Sequence, residues 1–297
     1  MVELRDIEIF LTLAEELHFT RTAERLHVSP ARISQAIRKQ EREVGAKLFE
    51  RTSRSVRLTS IGERLYGDLR LVHRGLRESM ERARLAAQGK TEVLRVGMLP
   101  GNAYDLRPYW EEFRARHPSW GLRIRHNPFI DPFAPLRDGE VDVLVSWLPV
   151  EEPDLTVGPA VFTEPRVLLA APGHELADRG SVSLEALGDF GVLRPSTALP
   201  DYWEDAFVPF ETPSGRPIER GPAVREMDDI LTIVGSGEAV HHLGAHAARY
   251  YARPGVLYLP LRDAPCLKWG LVWRSDAETE PICALARVVR DLGTAAL

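Results

Sequence analysis

Cysteine is scarce in this chain. Its 297 residues include two, Cys266 and Cys283, too few for a disulfide framework, so a reducing compartment is expected. Long hydrophobic runs are also missing. No stretch approaches the ~18 apolar residues of a membrane span. The opening MVELRDIEIFLTLAEEL carries acids throughout instead of the apolar centre of a signal peptide. A soluble, cytoplasmic protein with no membrane partner is the expectation. Lysine is nearly absent: of 38 basic residues only Lys39, Lys47, Lys90 and Lys268 are lysine, which points to GC-rich coding and not to function. Catalytic signatures are lacking as well. Without Gly-x-Ser-x-Gly there is no nucleophile elbow. Gly235-Ser236-Gly237 has no third glycine and follows a helix, so it reads as a helix-terminating turn and not a dinucleotide loop. Glu111-Glu112 and Asp228-Asp229 fall on exposed helix faces. His241-His242-x-x-x-His246 has metal spacing if helical, but no second ligand cluster lies near it in sequence. Cys266 and Cys283 read as buried thiols in preference to a redox switch. No catalytic residue, metal or cofactor is expected, and the protein is not read as an enzyme.

The stretch 19–58 organises the chain. Thr20 is placed to cap a short helix that buries Ala23 and Leu26 and breaks near His27-Val28. Ser29-Pro30 then opens a second helix, with Ser as N-cap and Pro at N1, where its missing amide costs nothing. At ~100° per residue, Ile33, Ile37, Gln40 and Val44 share one side. Arg32, Gln35, Arg38, Lys39 and Arg42 share the other, a cationic face with an amide able to read base edges in a major groove. Val56 and Leu58 alternate with Ser55 and Arg57 as a short half-buried strand. The loop before it brings Arg51, Arg54 and Arg57 to phosphates or a minor groove. The expected DNA-contacting set is Thr20, Arg21, Ser29, Pro30, Ala31, Arg32, Ser34, Gln35, Arg38, Lys39, Arg51, Arg54 and Arg57. Upstream, residues 4–17 form an amphipathic supporting helix with Leu4, Ile7, Leu11, Ala14 and Leu17 on one face.

The net charge of −5 looks wrong for a DNA binder until it is divided. Residues 27–59 hold 8 Lys+Arg against 3 Asp+Glu, while residues 90–297 hold 21 against 30. Positive charge is concentrated where phosphates would lie. The surplus is small enough that dimerisation is expected, because a second linked module adds effective concentration. Residues 60–88 supply the means. Ser60-Ile61-Gly62-Glu63 resembles a capping box, and Ile61, Leu65, Leu69, Val72, Leu76 and Met80 follow at spacings of four and three. This seam is longer than the small N-terminal module needs, and such a helix packs on a partner helix. Residues 86–91 read as a hinge.

These residues resemble the LysR-type transcriptional regulators. The matches run through Leu4, Phe10, Phe19, Ala23-Glu24-Arg25-Leu26, Val28-Ser29, Ile33-Ser34, Ile37, Glu41 and Gly45. They continue through Lys47-Leu48-Phe49-Glu50-Arg51, Leu58-Thr59 and Gly62, and the resemblance covers the whole chain. The chain departs from the family at Pro30 and Ala36, where Gln is common, and at Gln40, where Leu is common. All three sit in or beside the recognition helix and bear on base preference. The resemblance assigns 60–89 to dimerisation. It implies a homodimer or dimer of dimers on double-stranded promoter DNA.

From residue 92 the pattern becomes α/β. Val93–Leu99, Gly121–His126, Val141–Trp147, Phe190–Arg194, Ala223–Glu226 and Leu267–Arg274 read as strands. Helices are read at 104–117, near 183–188 and 200–208, and at Asp228–Val234 and Pro281–Leu292. Strands alternating with helices predict a largely parallel sheet. Leu136–Asp142 and Arg166–Ala177 also resemble the family. The expected fold is α/β overall: an all-α winged helix-turn-helix at 1–59, a linker helix at 60–89, and a two-subdomain periplasmic-binding-protein-like effector domain at 90–297. Subdomain I spans about 90–162 and 268–297, and subdomain II about 163–267, with crossing strands near 160–166 and 265–272.

The resemblance places a small-molecule effector in the cleft between the subdomains. Ligands favour strand ends at topological switch points, which selects Pro100, Gly101, Asn102, Ala103, Trp147, Leu148, Thr163, Glu164, Arg194, Ser196, Thr197 and Glu226. Family members often carry a Ser or Thr pair where this chain has Gly101-Asn102, so a carboxylate would not be held there in the common way. Tyr104, Trp147, Tyr202 and Trp203 could line an apolar or aromatic site. The leading expectation is a ligand-modulated DNA-binding regulator. A constitutive DNA binder with a vestigial cleft, or an enzyme on a binding-protein-like fold, are the alternatives.

Overall fold

Apolar residues crowd α1 (Leu4–Glu16), where Ile9, Phe10 and Leu13 are fully buried. The expected face needs correction at its ends, because Leu4 and Leu17 are exposed. The computed structural model describes residues 3–51, 56–87, 89 and 91–297. Of the expected hinge at 86–91, Gln88 and Lys90 lie outside the described residues. The chain separates into two units, Met1–Gln88 and Gly89–Leu297.

In the first unit, α2 (Phe19–Leu26) is capped by His18, whose Nδ1 accepts from the Arg21 amide at 3.3 Å. Thr20, expected as the cap, lies inside the first turn. In α3 (Pro30–Val44) the Ser29 hydroxyl accepts from the Arg32 amide at 3.2 Å, and Pro30 is the first helical residue. Ile33, Ala36, Ile37 and Gln40 are buried, but Val44, expected beside them, is exposed one position before the left-handed Gly45 that ends the helix. An antiparallel pair follows, β1 (Phe49–Arg51) and β2 (Val56–Leu58), with Phe49 opposite Leu58. Phe10 meets Phe49 edge-to-face at 5.6 Å, closing the core of the three helices. The long α4 (Ser60–Ala87) starts one residue earlier than the expected capping box requires: Thr59, not Ser60, accepts from the Gly62 amide at 3.0 Å. Gly62 is needed there, since a Cβ would lie 2.1 Å from the Leu48 carbonyl oxygen.

The second unit holds β3 (Glu92–Met98), α5 (Arg107–Arg116), β4 (Trp120–His126), α6 (Ala134–Arg137), β5 (Val143–Trp147), β6 (Leu155–Glu164) and β7 (Arg166–Ala170). It continues with α7 (Leu187–Phe190), β8 (Val192–Pro195), α8 (Asp201–Phe207), β9 (Arg220–Val224), α9 (Met227–Gly235) and β10 (His241–Gly244). Last come α10 (Ala247–Tyr250), β11 (Leu257–Pro260), β12 (Leu267–Arg274), α11 (Glu280–Leu292) and β13 (Ala295–Ala296).

Its main sheet has the order β13-β6-β12-β5-β3-β4. β3 runs parallel to β4 and β5, but β12 is antiparallel to both β5 and β6. The largely parallel expectation is therefore corrected to a mixed sheet: β12 re-enters from the second sheet and pairs in the reverse sense. All five residues of β5 are buried, as a strand covered on both faces requires. A second sheet, β10-β7-β11, is antiparallel around β7, and β8-β9 form a separate parallel pair. The chain passes between the two larger sheets at Glu164-Pro165-Arg166 and again between Pro260 and Leu267. Arg166 anchors that crossing. Its buried guanidinium donates to the carbonyls of Pro265, Phe207 and Ala206 at 3.0, 2.7 and 2.7 Å, and burial pushes its pKa down to about 10.

His241 and His242 lie on a strand, so the helical condition for metal spacing with His246 is not met, and no metal-binding group of His, Cys, Asp or Glu occurs among the described residues. The expectation of two buried thiols is corrected: Cys266 is exposed and Cys283 half-buried. Among the described residues, no helix is long and apolar enough to cross a membrane.

Candidate nucleic-acid interface and ligand cleft

The outer face of α3 is narrower than its sequence implies. Asp6 of α1 is buried beneath it and takes Arg32 at 2.6 Å and Lys39 at 2.9 Å on its two carboxylate oxygens. Its backbone carbonyl accepts from the Gln40 side chain at 2.8 Å. Burial raises the Asp6 pKa, but the Lys39 and Arg32 hydrogen bonds outweigh it and hold the carboxyl below its ordinary value. Two cations assigned to DNA thus fasten α3 to α1. On α2, Arg21 is similarly turned back, donating to the Glu16 carbonyl at 2.7 Å.

What remains on α3 is Gln35, Arg38 and Arg42, exposed and without side-chain partners among the described residues. At ~100° per residue they lie within ~60° of one another. Ala31 shares this exposed arc, Ser29 and Pro30 are exposed at the start of the helix, and Ser34 is half-buried. Thr20 is exposed on α2 and Arg57 on β2. The Arg51 side chain and Arg54 lie outside the described residues.

On α4, Leu65 and Leu69 are half-buried and pack on the first unit's own core. Ile61, Val72, Leu76 and Met80 are 46, 67, 42 and 56% exposed. The seam therefore divides: two of its leucines serve the first unit, and the four other residues leave an apolar stripe.

The second unit contains a mostly apolar cavity of about 130 Å³, lined from both larger sheets and from the β8-β9 pair. Trp147 at the end of β5 forms its floor, stacked on Trp203 with ring centroids 3.5 Å apart and edge-on to Trp269 at 5.8 Å. Phe207, 4.6 Å from the Trp147 ring, closes one side. Of the expected effector residues, Pro100, Gly101, Trp147, Arg194 and Glu226 line this cavity.

The others do not. Asn102 is fully buried, and neither amide atom has a partner among the described residues. Ala103 gives its carbonyl to the Trp110 indole, and Leu148 packs over Gly270. Thr163 is held in the sheet opposite Lys268, and the Ser196 amide donates to Val224; neither Ser196 nor Thr197 lines the cavity. Glu164 lies one layer behind the wall. It accepts from the Trp269 indole at 2.7 Å, the His246 amide at 2.8 Å and His246 Nδ1 at 2.9 Å. Glu226 caps α9, accepting from the amide of Asp229. Of the candidate aromatics, Tyr104 is exposed and Tyr202 hydrogen-bonds Glu152 at 2.9 Å.

Sequence reasoning missed Phe129, Glu204, Phe207, Arg225, His241, His246, Tyr251 and Trp269, which also line the cavity. Arg225, adjacent to Glu226 at a strand end, was within reach of the strand-end rule; the others arrive through tertiary packing alone. Burial, with Arg220 nearby, pushes His241 down to about 3, so its ring is neutral at physiological pH. The opposite wall approaches closely: a Cβ on Gly101 would lie 2.2 Å from the Tyr251 hydroxyl.

A winged helix-turn-helix joined to an α/β unit with a ligand-sized cavity defines the class: a DNA-binding regulator with a small-molecule-binding domain. Residues 4–63 match the family described as bacterial regulatory helix-turn-helix protein, lysR family. Residues 87–294 match the LysR substrate binding domain. The chain is 30% identical over 210 residues to the HTH-type transcriptional regulator AlsR of Bacillus subtilis, covering 70% of this chain and 68% of AlsR. It is 28% identical over 302 residues to the HTH-type transcriptional regulator IlvR of Caulobacter vibrioides, covering 99% of each. Full-length CbnR complexed with its target DNA shares the fold, with TM-score 0.64, 20% identity, and 98% of this chain and 100% of that one covered. The protein belongs to the LysR family. It is a DNA-binding transcriptional regulator with an effector-binding domain, of a family whose members are named as regulators and not as enzymes.

Proposed function

We propose that the protein binds promoter DNA as a homodimer, or as a dimer of dimers, in the cytoplasm, and that a small molecule in the second unit's cavity modulates it. Residues 1–59 form the DNA-binding domain, 60–89 the dimerisation helix and 90–297 the effector domain. Bases are read by Gln35 and Arg38, with Arg42 beside them. Thr20, Ser29, Pro30, Ala31, Ser34 and Arg57 lie along the same approach to the duplex. Arg32, Lys39 and Arg21 are left as orienting groups. The observation that carries this reading is the unpartnered Gln35-Arg38-Arg42 face, whose residue types suit base edges and phosphates. Ile61, Val72, Leu76 and Met80 supply the dimer contact. Two linked modules offset the small positive surplus of each one.

The test is footprinting on the DNA flanking the gene across a salt series. A partly palindromic protected site with steep salt dependence is expected. Arg38→Ala is expected to weaken binding and relax specificity at the base it reads, and Arg42→Ala to reduce the log–log salt slope by about 0.9 for each phosphate it no longer neutralises. Diffuse protection that Gln35→Ala and Arg38→Ala leave unchanged refutes α3 as the reader. A footprint that no cavity ligand alters leaves a constitutive regulator.

A further inference from the structure

The polar groups around the cavity are not equally occupied. Glu204 pairs with Arg220 at 3.4 Å. His246 is committed to Glu164, and Glu226 accepts from the start of α9. Arg194 and Arg225 are different. Both line the cavity, both are exposed, and neither guanidinium has a partner among the described residues.

The backbone brings them together. In the parallel β8-β9 pair Arg194 lies opposite Ala223 and Pro195 opposite Val224. Arg225 comes directly after Val224, the last residue of β9, and so stands beside the Arg194-Pro195 end of β8, both arginines lining the same cavity. The Arg225 amide is fixed by a 2.8 Å hydrogen bond to Asp229. Two unpaired guanidinium forks on one wall match a carboxylate, which accepts from them in a planar, bidentate manner. Their charge is opposed only in part. Glu204 and Arg220 cancel, His241 is neutral, and Glu226 offsets one of the two arginines, leaving a net of one positive charge for a monoanion.

Below them the walls are Trp147, Phe207 and Trp269, with Leu243 and Ile230. A cavity of about 130 Å³ is close to the ~150 Å³ apolar cavity that stays dry and takes benzene. Aromatic walls favour a ring or a compact branched body over a long flexible one.

We propose that the effector is a compact hydrophobic monocarboxylate, its carboxylate held by Arg194 and Arg225 and its apolar body packed against Trp147, Phe207 and Trp269. This rests on the reading of the cavity as the effector site. A dicarboxylate, a sugar or a nucleotide does not fit it, because the cavity offers neither the charge nor the hydrogen-bonding walls.

The test is titration of the full-length protein with phenylacetate, benzoate and 4-methylpentanoate, each beside its neutral amide, followed by tryptophan fluorescence and calorimetry. All six tryptophans fall between residues 110 and 273, so fluorescence reports on this unit alone. The carboxylates are expected to bind at least tenfold more tightly than their amides. Arg194→Ala/Arg225→Ala is expected to remove that preference while leaving amide binding and the thermal midpoint unchanged. Both arginines are exposed, so the fold does not depend on them. Equal binding of acid and amide, unchanged in the double variant, overturns the anion assignment and leaves the cavity as a ligand site. No response to any of the six probes overturns both.

Discussion

Replacing Glu164 tests whether this carboxylate is part of the frame or part of the ligand site. It is 1% exposed and takes three donors: the Trp269 indole, the His246 amide and His246 Nδ1, all within 2.9 Å. The carboxyl also rests over Gly244, where a Cβ would stand 2.2 Å from Oε1. Glu164→Ala strips the acceptor from all three donors at once. At about 1–3 kcal/mol for each buried group left unpaired, and with some relaxation, the loss is about 3–5 kcal/mol. With a urea m-value of ~2 kcal/mol/M, the midpoint moves down by roughly 1.5–2.5 M. Glu164→Gln keeps one oxygen but turns an NH₂ toward the donors, so it falls between the two. Urea titration followed by tryptophan fluorescence reads this unit without interference from the first, which has no tryptophan. A midpoint for Glu164→Ala within about 0.5 M of the parent, ~1 kcal/mol by the same m-value, refutes the reasoning and returns Glu164 to the candidate ligand contacts.

Asp6 is expected to contribute to the first unit's response to acid. Its carboxyl is held below its ordinary value. A depressed folded-state pKa contributes stability that is present above the unfolded pKa and is lost as pH falls through the folded value. The helical signal of the full chain should therefore fall below about pH 4, and Asp6→Asn should flatten that acid limb while weakening the unit at neutral pH. An acid limb identical in Asp6→Asn rules out the Asp6-Arg32-Lys39 cluster as its cause. On α4, Val72→Lys with Met80→Glu places charges on the exposed stripe. Sedimentation velocity should show a shift toward monomer with the thermal midpoint of the second unit unchanged; an unaltered sedimentation profile removes the stripe from the subunit contact.

Local patterns carried the first unit well where the decisive interaction is itself local. Ser29-Pro30 marked the start of α3 because an N-cap hydroxyl and a first-turn proline act within four residues, and the structure has both. The alternation at Val56–Leu58 gave the strand. The same method failed one step away. Helical spacing puts Arg32 and Lys39 on the open side of α3, and nothing within the helix reveals that Asp6, 26 and 33 residues earlier, claims both. Thr20 lost the cap to His18 for a local reason: helix boundaries shift by a residue or two, and either side chain can accept an amide.

The cavity shows how far strand-end logic extends. It found Pro100, Gly101, Trp147, Arg194 and Glu226 because each lies next to the end of a strand and the cleft is built at strand ends. It could not find Trp269, which is interior to β12, because that strand's role depends on its antiparallel insertion between β5 and β6. A strand that runs in reverse brings its start, not its end, to the cleft, and Trp269, third in β12, lies opposite Trp147 at the end of β5. Glu164 illustrates the converse. It stands at the end of β6, as the rule requires, yet the chain crosses to the second sheet immediately after it, and the crossing draws its carboxylate inward onto Trp269 and His246. Both of those donors face the cavity. The cavity wall and the passage between the sheets are thus joined through one carboxylate, an arrangement set by the reversal of β12 and by the return of the chain after β10. Neither leaves a mark in the spacing of residues along the sequence.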